Sequence, residues 1–295
     1  TALERHKKYS FTPRMSHDRP CACVTGANRG IGYDIVRQLL QLNWTVILGC
    51  RSLAKGHAAK QRLIQECGTH DVENRVHVVW IDLEQRDQQQ ESQLQASVEQ
   101  IRTISQGLDV LIHNAAYITY NNLSFEEAHK SFEINYRGTV RVHEALFPLV
   151  KRPGGRVIFV SSAVGKTYLV PSDVETQLLS DNLAEDDLVR IVQRLEDDIQ
   201  SGRYQEPTNH IGGLAYGLGK LAGTTIYPRI VARRHPSPQE IFVASCCPAF
   251  GGPDTPVWLA TTASIEQIQH GHGGFWEQRT LTNPQDWSAG MNLSS

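Results

Sequence analysis

No stretch of this chain approaches the roughly 18 uninterrupted apolar residues that a membrane-spanning helix requires. The opening residues lack the charged-then-apolar order of a secretory signal. An excess of charge is also missing. The formal net charge is −2 over 295 residues, so no global field draws nucleic acid or an anionic membrane surface, and any anion site must be local. Cysteines are few, at 21, 23, 50, 67, 246 and 247, and most stand in apolar β-like runs. They are read as reduced, strand-packed thiols of an intracellular, cytoplasmic protein. Cys21 and Cys23 have no second ligand pair at zinc spacing, so no metal site is expected. What is present in quantity is apolar side chain, at 40%. That is enough for a sizeable core and argues against disorder.

Residues 1–18 are basic and irregular, with Arg5, His6, Lys7, Lys8 and Arg14. They are expected to be a disordered tail or a remnant foreign to the natural chain, Met15 being a candidate natural start; a targeting presequence is the other reading. From residue 19 to 295 the pattern reads as a single domain alternating strand and helix. Apolar β-like runs lie at 21–25, 45–48, 76–80, 110–112, 156–161 and 241–245. Helical periodicity covers 31–42, 54–67, 135–149 and 214–232, with a Gln-rich solvated helix at 87–106. Continuous apolar strands separated by helices predict a parallel sheet covered on both faces, an α/β doubly wound (Rossmann-type) fold. Its ligands would sit at the carboxyl ends of the strands. Residues 163–213 break the rhythm and are read as an insertion, helical and acidic over 174–201.

Chemistry concentrates at those strand ends. Thr25-Gly26-Ala27-Asn28-Arg29-Gly30-Ile31-Gly32 is a glycine-rich strand-to-helix turn. Gly26 permits a tight turn, and Gly30 and Gly32 let backbone approach a phosphate and the helix pack on the sheet. Glycines alone would also suit an ordinary turn; the strand before and the helix after give the context. Gly26, Asn28, Arg29, Gly30, Ile31 and Gly32 are the cofactor candidates here. After the second strand comes Gly49-Cys50-Arg51, with no acid to bind a ribose hydroxyl. Arg29 and Arg51 suit a 2′-phosphate through charge-assisted forks, which favours NADP(H) over NAD(H); two plain surface arginines are the other reading. Asp82 and Leu83 follow the third strand, placed for an adenine amine and ring. Asn114-Ala115-Ala116 ends the fourth, where small residues leave room for a ribose. His113 reads as a packed strand histidine.

Ser161-Ser162 ends the fifth strand. Tyr216 and Lys220 stand four residues apart on one helix face. A free tyrosine has a pKa of about 10, too high for efficient exchange near neutrality. An ammonium one turn away is expected to lower it, and both Tyr216 and Lys220 are also cofactor candidates, Lys220 through the nicotinamide ribose hydroxyls. The pair alone would equally describe a surface helix.

Taken in order, Thr25-Gly26-x-x-x-Gly30-x-Gly32, Asn114-Ala115, Asn135-x-x-Gly138, Ser162, Tyr216-x-x-x-Lys220 and Cys246-Cys247-Pro248 resemble the short-chain dehydrogenase/reductases. The long gap between Ser162 and Tyr216, the Cys246-Cys247-Pro248 strand end, and the tail from Asp254-Thr255-Pro256 through Gly274-Phe275 to Trp287 resemble the carbonyl reductase subgroup. The likeness spans about residues 20–290. It implies a catalytic tetrad of Asn135, Ser162, Tyr216 and Lys220, with Pro248 beside the cofactor and a water on Asn135 relaying protons to Lys220. It further implies reduction of a small ketone, aldehyde or quinone by NADPH with Tyr216 as acid, and a monomer, because the insertion covers the surface through which most members associate. The sequence departs from the pattern after Pro248: Ala249 replaces the family's glycine, and Pro253 stands at its threonine position. Asp254-Thr255-Pro256 then follows directly, so the substrate loop is shortened and Thr255 is not the cofactor threonine. This motivates an alternative, a dinucleotide-binding sensor or partner-binding module with weak or no turnover.

Overall fold

The computed structural model describes residues 19–68, 71–84, 87–207, 213–248, 252–261 and 264–283. The expectations for the tail at 1–18, for Ala249 and for Trp287 lie outside them. The strands are β1 (Cys21–Thr25), β2 (Thr45–Cys50), β3 (Val76–Trp80), β4 (Val110–His113), β5 (Gly155–Val160), β6 (Ile241–Cys247), β7 (Phe275–Glu277) and β8 (Thr280–Thr282). They form one sheet in the order β3-β2-β1-β4-β5-β6-β7-β8, parallel throughout except for β8. The six expected strands are found within a residue or two of their expected ends. The antiparallel β7–β8 hairpin was not expected.

The helices are α1 (Gly30–Gln41), α2 (Leu53–Cys67), α3 (Val72–Arg75), α4 (Gln88–Ile104), α5 (Phe125–Ser131), α6 (Thr139–Leu146), α7 (Ser172–Leu179), α8 (Glu185–Gln200), α9 (Leu214–Lys220), α10 (Tyr227–Arg234), α11 (Asp254–Thr261) and α12 (Ile265–Ile268). Alternation along each strand feeds two cores. Cys23, Ile47, Leu111, Val157, Phe159 and Val243 face one side, with Phe132, Leu218 and Tyr227. Val24, Leu48, Ile112, Ile158 and Ala244 face the other, with Ile35, Leu39 and Val257. Burial of both faces is why the strands read as unbroken apolar runs. All six cysteines are free, and those at 21, 23, 50, 246 and 247 are buried in strands. No helix of the described residues is long and apolar enough to cross a membrane.

Two expected helices differ from the ideal. The segment expected over 135–149 begins as a π-helix, Phe132–Gly138, between α5 and α6. The one expected over 214–232 carries a second, Leu221–Ile226, between α9 and α10. They lie against each other. A Cβ on Gly223 would come within 1.9 Å of the Asn135 carbonyl oxygen, so only glycine allows the approach. Gly138 plays the same part toward the strand ends: its Cβ would sit 2.0 Å from the Leu83 carbonyl oxygen. The acidic segment expected over 174–201 is two helices, α7 and α8, broken at 180–184. Glu196 of α8 is buried and pinned by Arg137 at 2.7 Å and His129 at 2.8 Å, which ties α8 to the first π-helix and α5.

Candidate active site

Strand order reverses across β1, with β2 on one side and β4 on the other. In an open parallel sheet that reversal opens a crevice at the carboxyl ends. The residues there are held by one another. The Thr25 hydroxyl accepts from the backbone N–H groups of both Asn114 and Ala115, each at 3.0 Å. The Asn114 amide donates to the carbonyls of Thr25 (3.0 Å) and Gly26 (3.3 Å). Gly26 has φ +64°, and a Cβ on it would meet Ala115 Cα at 2.6 Å; one on Gly32 would meet Asn114 Nδ2 at 2.4 Å. Asn114 thus shapes the turn with its side chain rather than projecting it free. Thr25, unassigned from sequence, is the connector.

The turn fits a phosphate. Arg29 occupies the cap position of α1 and makes no side-chain cap, leaving the first-turn N–H groups of a 12-residue helix to an anion. Arg29 and Arg51 are both exposed. Asn28 and Ile31 are half-buried beside them. Asp82 is half-buried; its carboxylate accepts from Glu84 N–H at 3.2 Å and its carbonyl from Arg141 at 2.9 Å. Leu83 is buried against Gly138.

Asn135 is fully buried. Its side-chain oxygen accepts from Tyr117 N–H at 2.8 Å, and its amide donates to the Tyr117 carbonyl and the Ser131 hydroxyl, each at 2.9 Å. Both ends of the amide are therefore committed to the chain leaving β4.

Past β5 the catalytic candidates meet. The Ser162 hydroxyl stands beside the Tyr216 phenol, near enough to favour its phenolate, and accepts from Val164 N–H at 3.4 Å. Gly217, next to Tyr216, leaves room for the Val164 carbonyl, 2.7 Å from where its Cβ would be. Ser161 turns inward instead, sharing a 2.9 Å bond with Thr225, and Ser162 is the serine beside the tyrosine. Lys220 is buried, and its ammonium donates to the Val160 carbonyl. Burial pulls its pKa down to about 8. The sequence-based expectation that Lys220 lowers Tyr216 is corrected here. Burial dominates and pushes the phenol up to about 12, with the Ser162 hydroxyl acting the other way. The cation is turned to Val160 and is buried itself, so it does not offset that burial. His113 packs on Phe159 with ring centroids 4.6 Å apart and shares a 3.2 Å contact with His143. Burial first, then the Lys220 charge, pulls it down to about 3, so it is a neutral packing group.

Pro248, half-buried, follows β6. β6 ends at Cys247 and α11 already begins at Asp254, in keeping with the short link read from sequence. Thr255 is buried and its hydroxyl accepts from Arg279 N–H at 3.3 Å, a contact with the β7–β8 turn. A separate hollow of about 340 Å³, lined by Arg102, Gly107 and Lys151 among others, opens at the opposite, amino ends of β4 and β5.

The model of the short chain dehydrogenase family matches residues 20–172. The chain belongs to that family. Among curated proteins it is similar to carbonyl reductase (NADPH) 1 of Oryctolagus cuniculus, with 33% identity covering 87% of this chain and 96% of the relative. The protein of that name from Homo sapiens is 32% identical over the same share of each. Among solved structures, menthone neomenthol reductase from Mentha piperita aligns at a TM-score of 0.73 and 25% identity, covering 88% of this chain and 99% of that one. Thr25, Tyr117 and Thr225 bond residues at the candidate site and were missed by sequence reasoning. Thr25 stood inside a quoted motif, and its hydroxyl was the available signal; the others gave none, because their partners are remote in sequence.

Proposed function

We propose that this short-chain dehydrogenase is an NADP-dependent oxidoreductase that reduces small ketones, aldehydes or quinones to alcohols, with Tyr216 as proton donor. The observation that carries the reading is the approach of the Ser162 hydroxyl to Tyr216 at the carboxyl end of the sheet, Tyr216 lying on the helix that also bears Lys220. NADPH, when bound, supplies the hydride. Gly26, Asn28, Arg29, Gly30, Ile31 and Gly32 would hold its pyrophosphate, Arg51 its 2′-phosphate, Asp82 and Leu83 its adenine, and Asn114 and Pro248 would frame the remainder. Ser162 donates to the substrate carbonyl oxygen and polarises it. Tyr216 then delivers its proton to the same oxygen. A phenol pushed up to about 12 is protonated at neutral pH, as a donor must be, though it is a weaker acid than a free tyrosine. Lys220, its ammonium held at the Val160 carbonyl, would bind the nicotinamide ribose hydroxyls. Since the Asn135 amide is committed to Tyr117 and Ser131, a water relay from Asn135 to Lys220 would use its main-chain carbonyl, past which Gly223 runs closely. The buried Glu196 contacts hold α8 over the helices through which relatives would otherwise associate, in favour of a monomer. A dinucleotide sensor without turnover is not favoured, because a binder has no use for the paired hydroxyls.

Loss of absorbance at 340 nm on mixing enzyme, NADPH and a panel of aromatic aldehydes and quinones tests the reading; binding of NADPH with no turnover across the panel would refute it. Cofactor choice has its own test. Arg51→Asp should raise the Kd for NADPH by about 10-fold or more, the scale of one charge-assisted fork to a dianion. The Kd for NADH should change little. Equal effects on both cofactors would remove Arg51 from the phosphate site.

A further inference from the structure

The loop that carries Ser162 is fastened from several sides. Gly165 N–H bonds the Ser162 carbonyl at 3.0 Å, closing a turn behind the serine. The Gly165 carbonyl accepts from Thr225 at 2.7 Å, and a Cβ on Gly165 would lie 2.9 Å from Lys220 Cβ, so the turn is pressed onto the tyrosine–lysine helix. Lys166 comes next. Its ammonium lies 3.3 Å from the Glu277 carboxylate, and both side chains are almost completely buried, at 3% and 9% exposure. The same ammonium stands 5.6 Å from the centre of the Phe275 ring. Glu277 ends β7 in register with Cys247 of β6. The pair therefore links the loop leaving β5 to a strand two places away, past the end of β6 where the chain runs on to Pro248. Thr167 completes the fastening through Glu175 of α7 at 2.6 Å.

A buried ion pair is a poor device for stability alone. Desolvation of both groups consumes most of their attraction, and an apolar pair of similar volume often serves as well or better. Its value lies in direction: a charged pair fixes where two backbones stand relative to each other in a way that interchangeable apolar contacts do not. Here one backbone is four residues from the hydroxyl beside Tyr216.

We propose that Lys166, through its buried pair with Glu277, is a positioning residue that holds the Ser162 hydroxyl in register with Tyr216. This rests on the reductase reading above and extends it. It assigns to this chain a tether across the end of β6, in the region where the link after Pro248 is short.

The test is a double-mutant cycle between Lys166→Met and Ser162→Ala, read as kcat with NADPH and an aromatic aldehyde, with NADPH Kd and Tm measured alongside. Lys166→Met alone should lower kcat by about 10-fold or more while the Kd for NADPH stays within about 2-fold, and Lys166→Arg should restore most of the loss. In the Ser162→Ala background, Lys166→Met should cost less than about 2-fold, because there is no hydroxyl left to position. An equal loss in both backgrounds, or full kcat in Lys166→Met, overturns the proposal. Should Lys166→Met fail to fold, the double variant Lys166→Met/Glu277→Gln, which removes both charges of this pair, takes its place in the cycle with the same outcomes expected. If Ser162→Ala itself retains full turnover, the assignment of Ser162 in the active site falls, and the tether falls with it; a crippled Ser162→Ala with additive losses sinks only the tether.

Discussion

Tyr216→Phe is expected to lower kcat/KM for carbonyl reduction by about 10³-fold or more, at the upper end of what one positioned proton donor contributes. The ring, its packing and the cofactor crevice are kept; only the oxygen beside Ser162 is removed. NADPH affinity should therefore be nearly unchanged, and Tm should move by little. Steady-state kinetics with an aldehyde, together with cofactor titration, check both parts. A variant that keeps a tenth or more of the wild-type rate would show that the proton comes from elsewhere. The pH dependence follows from the direction of the shift. With the phenol pushed up to about 12, its protonated form persists across the neutral range, so reduction should not fall between pH 6 and 8 through loss of this proton. The reverse oxidation needs the phenolate and should rise toward alkaline pH.

Lys220→Met is expected to do two opposite things. Turnover should drop by about 100-fold or more, because the cation proposed to hold the nicotinamide ribose is lost. Stability at neutral pH should not drop with it. Burial lowers the Lys220 pKa from 10.5 to about 8. Each unit corresponds to about 1.4 kcal/mol, so holding the charged amine costs roughly 3 kcal/mol below pH 8. Methionine removes that cost and gives up the bond to the Val160 carbonyl, worth about 1–3 kcal/mol when a buried acceptor is left alone. The variant should thus be equal to or somewhat more stable than the wild type at pH 7. The sign of the pH trend is fixed. Between pH 8 and 10.5 the folded wild type has released the proton that the unfolded chain still holds, so the wild type gains stability on the variant as pH rises. Above pH 10.5 both states are neutral and the variant should be the weaker. Thermal unfolding of the two proteins from pH 7 to 10.5 reads this difference directly; a gap that stays constant would contradict the buried, depressed lysine.

Much of this was legible in the sequence because it is local. Strand runs such as Thr45-Val46-Ile47-Leu48 and the glycine turn at 26–32 declare themselves by composition and order. The spacing of Tyr216 and Lys220 places both on one helix face. Other features depend on contacts that no local pattern carries. β7 and β8 are three residues each, too short for alternation to register. α5 was missed although Ser124 and Glu127 stand at capping spacing, and the Ser124 hydroxyl does accept from Glu127 N–H. The two π-helices meet where Gly223 passes close over the Asn135 carbonyl, a contact between segments far apart in the chain. The direction in which Lys220 points, to Val160 rather than toward the phenol, is likewise a tertiary fact, and it is why the expected depression of Tyr216 does not hold. Lys166 carried no signal at all, since its meaning lies in Glu277, on a strand beyond the next one.

The Thr25 hydroxyl, which receives the N–H groups of two successive residues leaving β4, makes the width of the proposed nucleotide groove a property of the folded chain. One oxygen atom staples the exits of the two strands that flank the topological reversal. A dinucleotide arriving there meets walls already at their final separation, so little of its interaction energy is diverted to shaping the groove, and affinity is left to the phosphate and ribose contacts themselves.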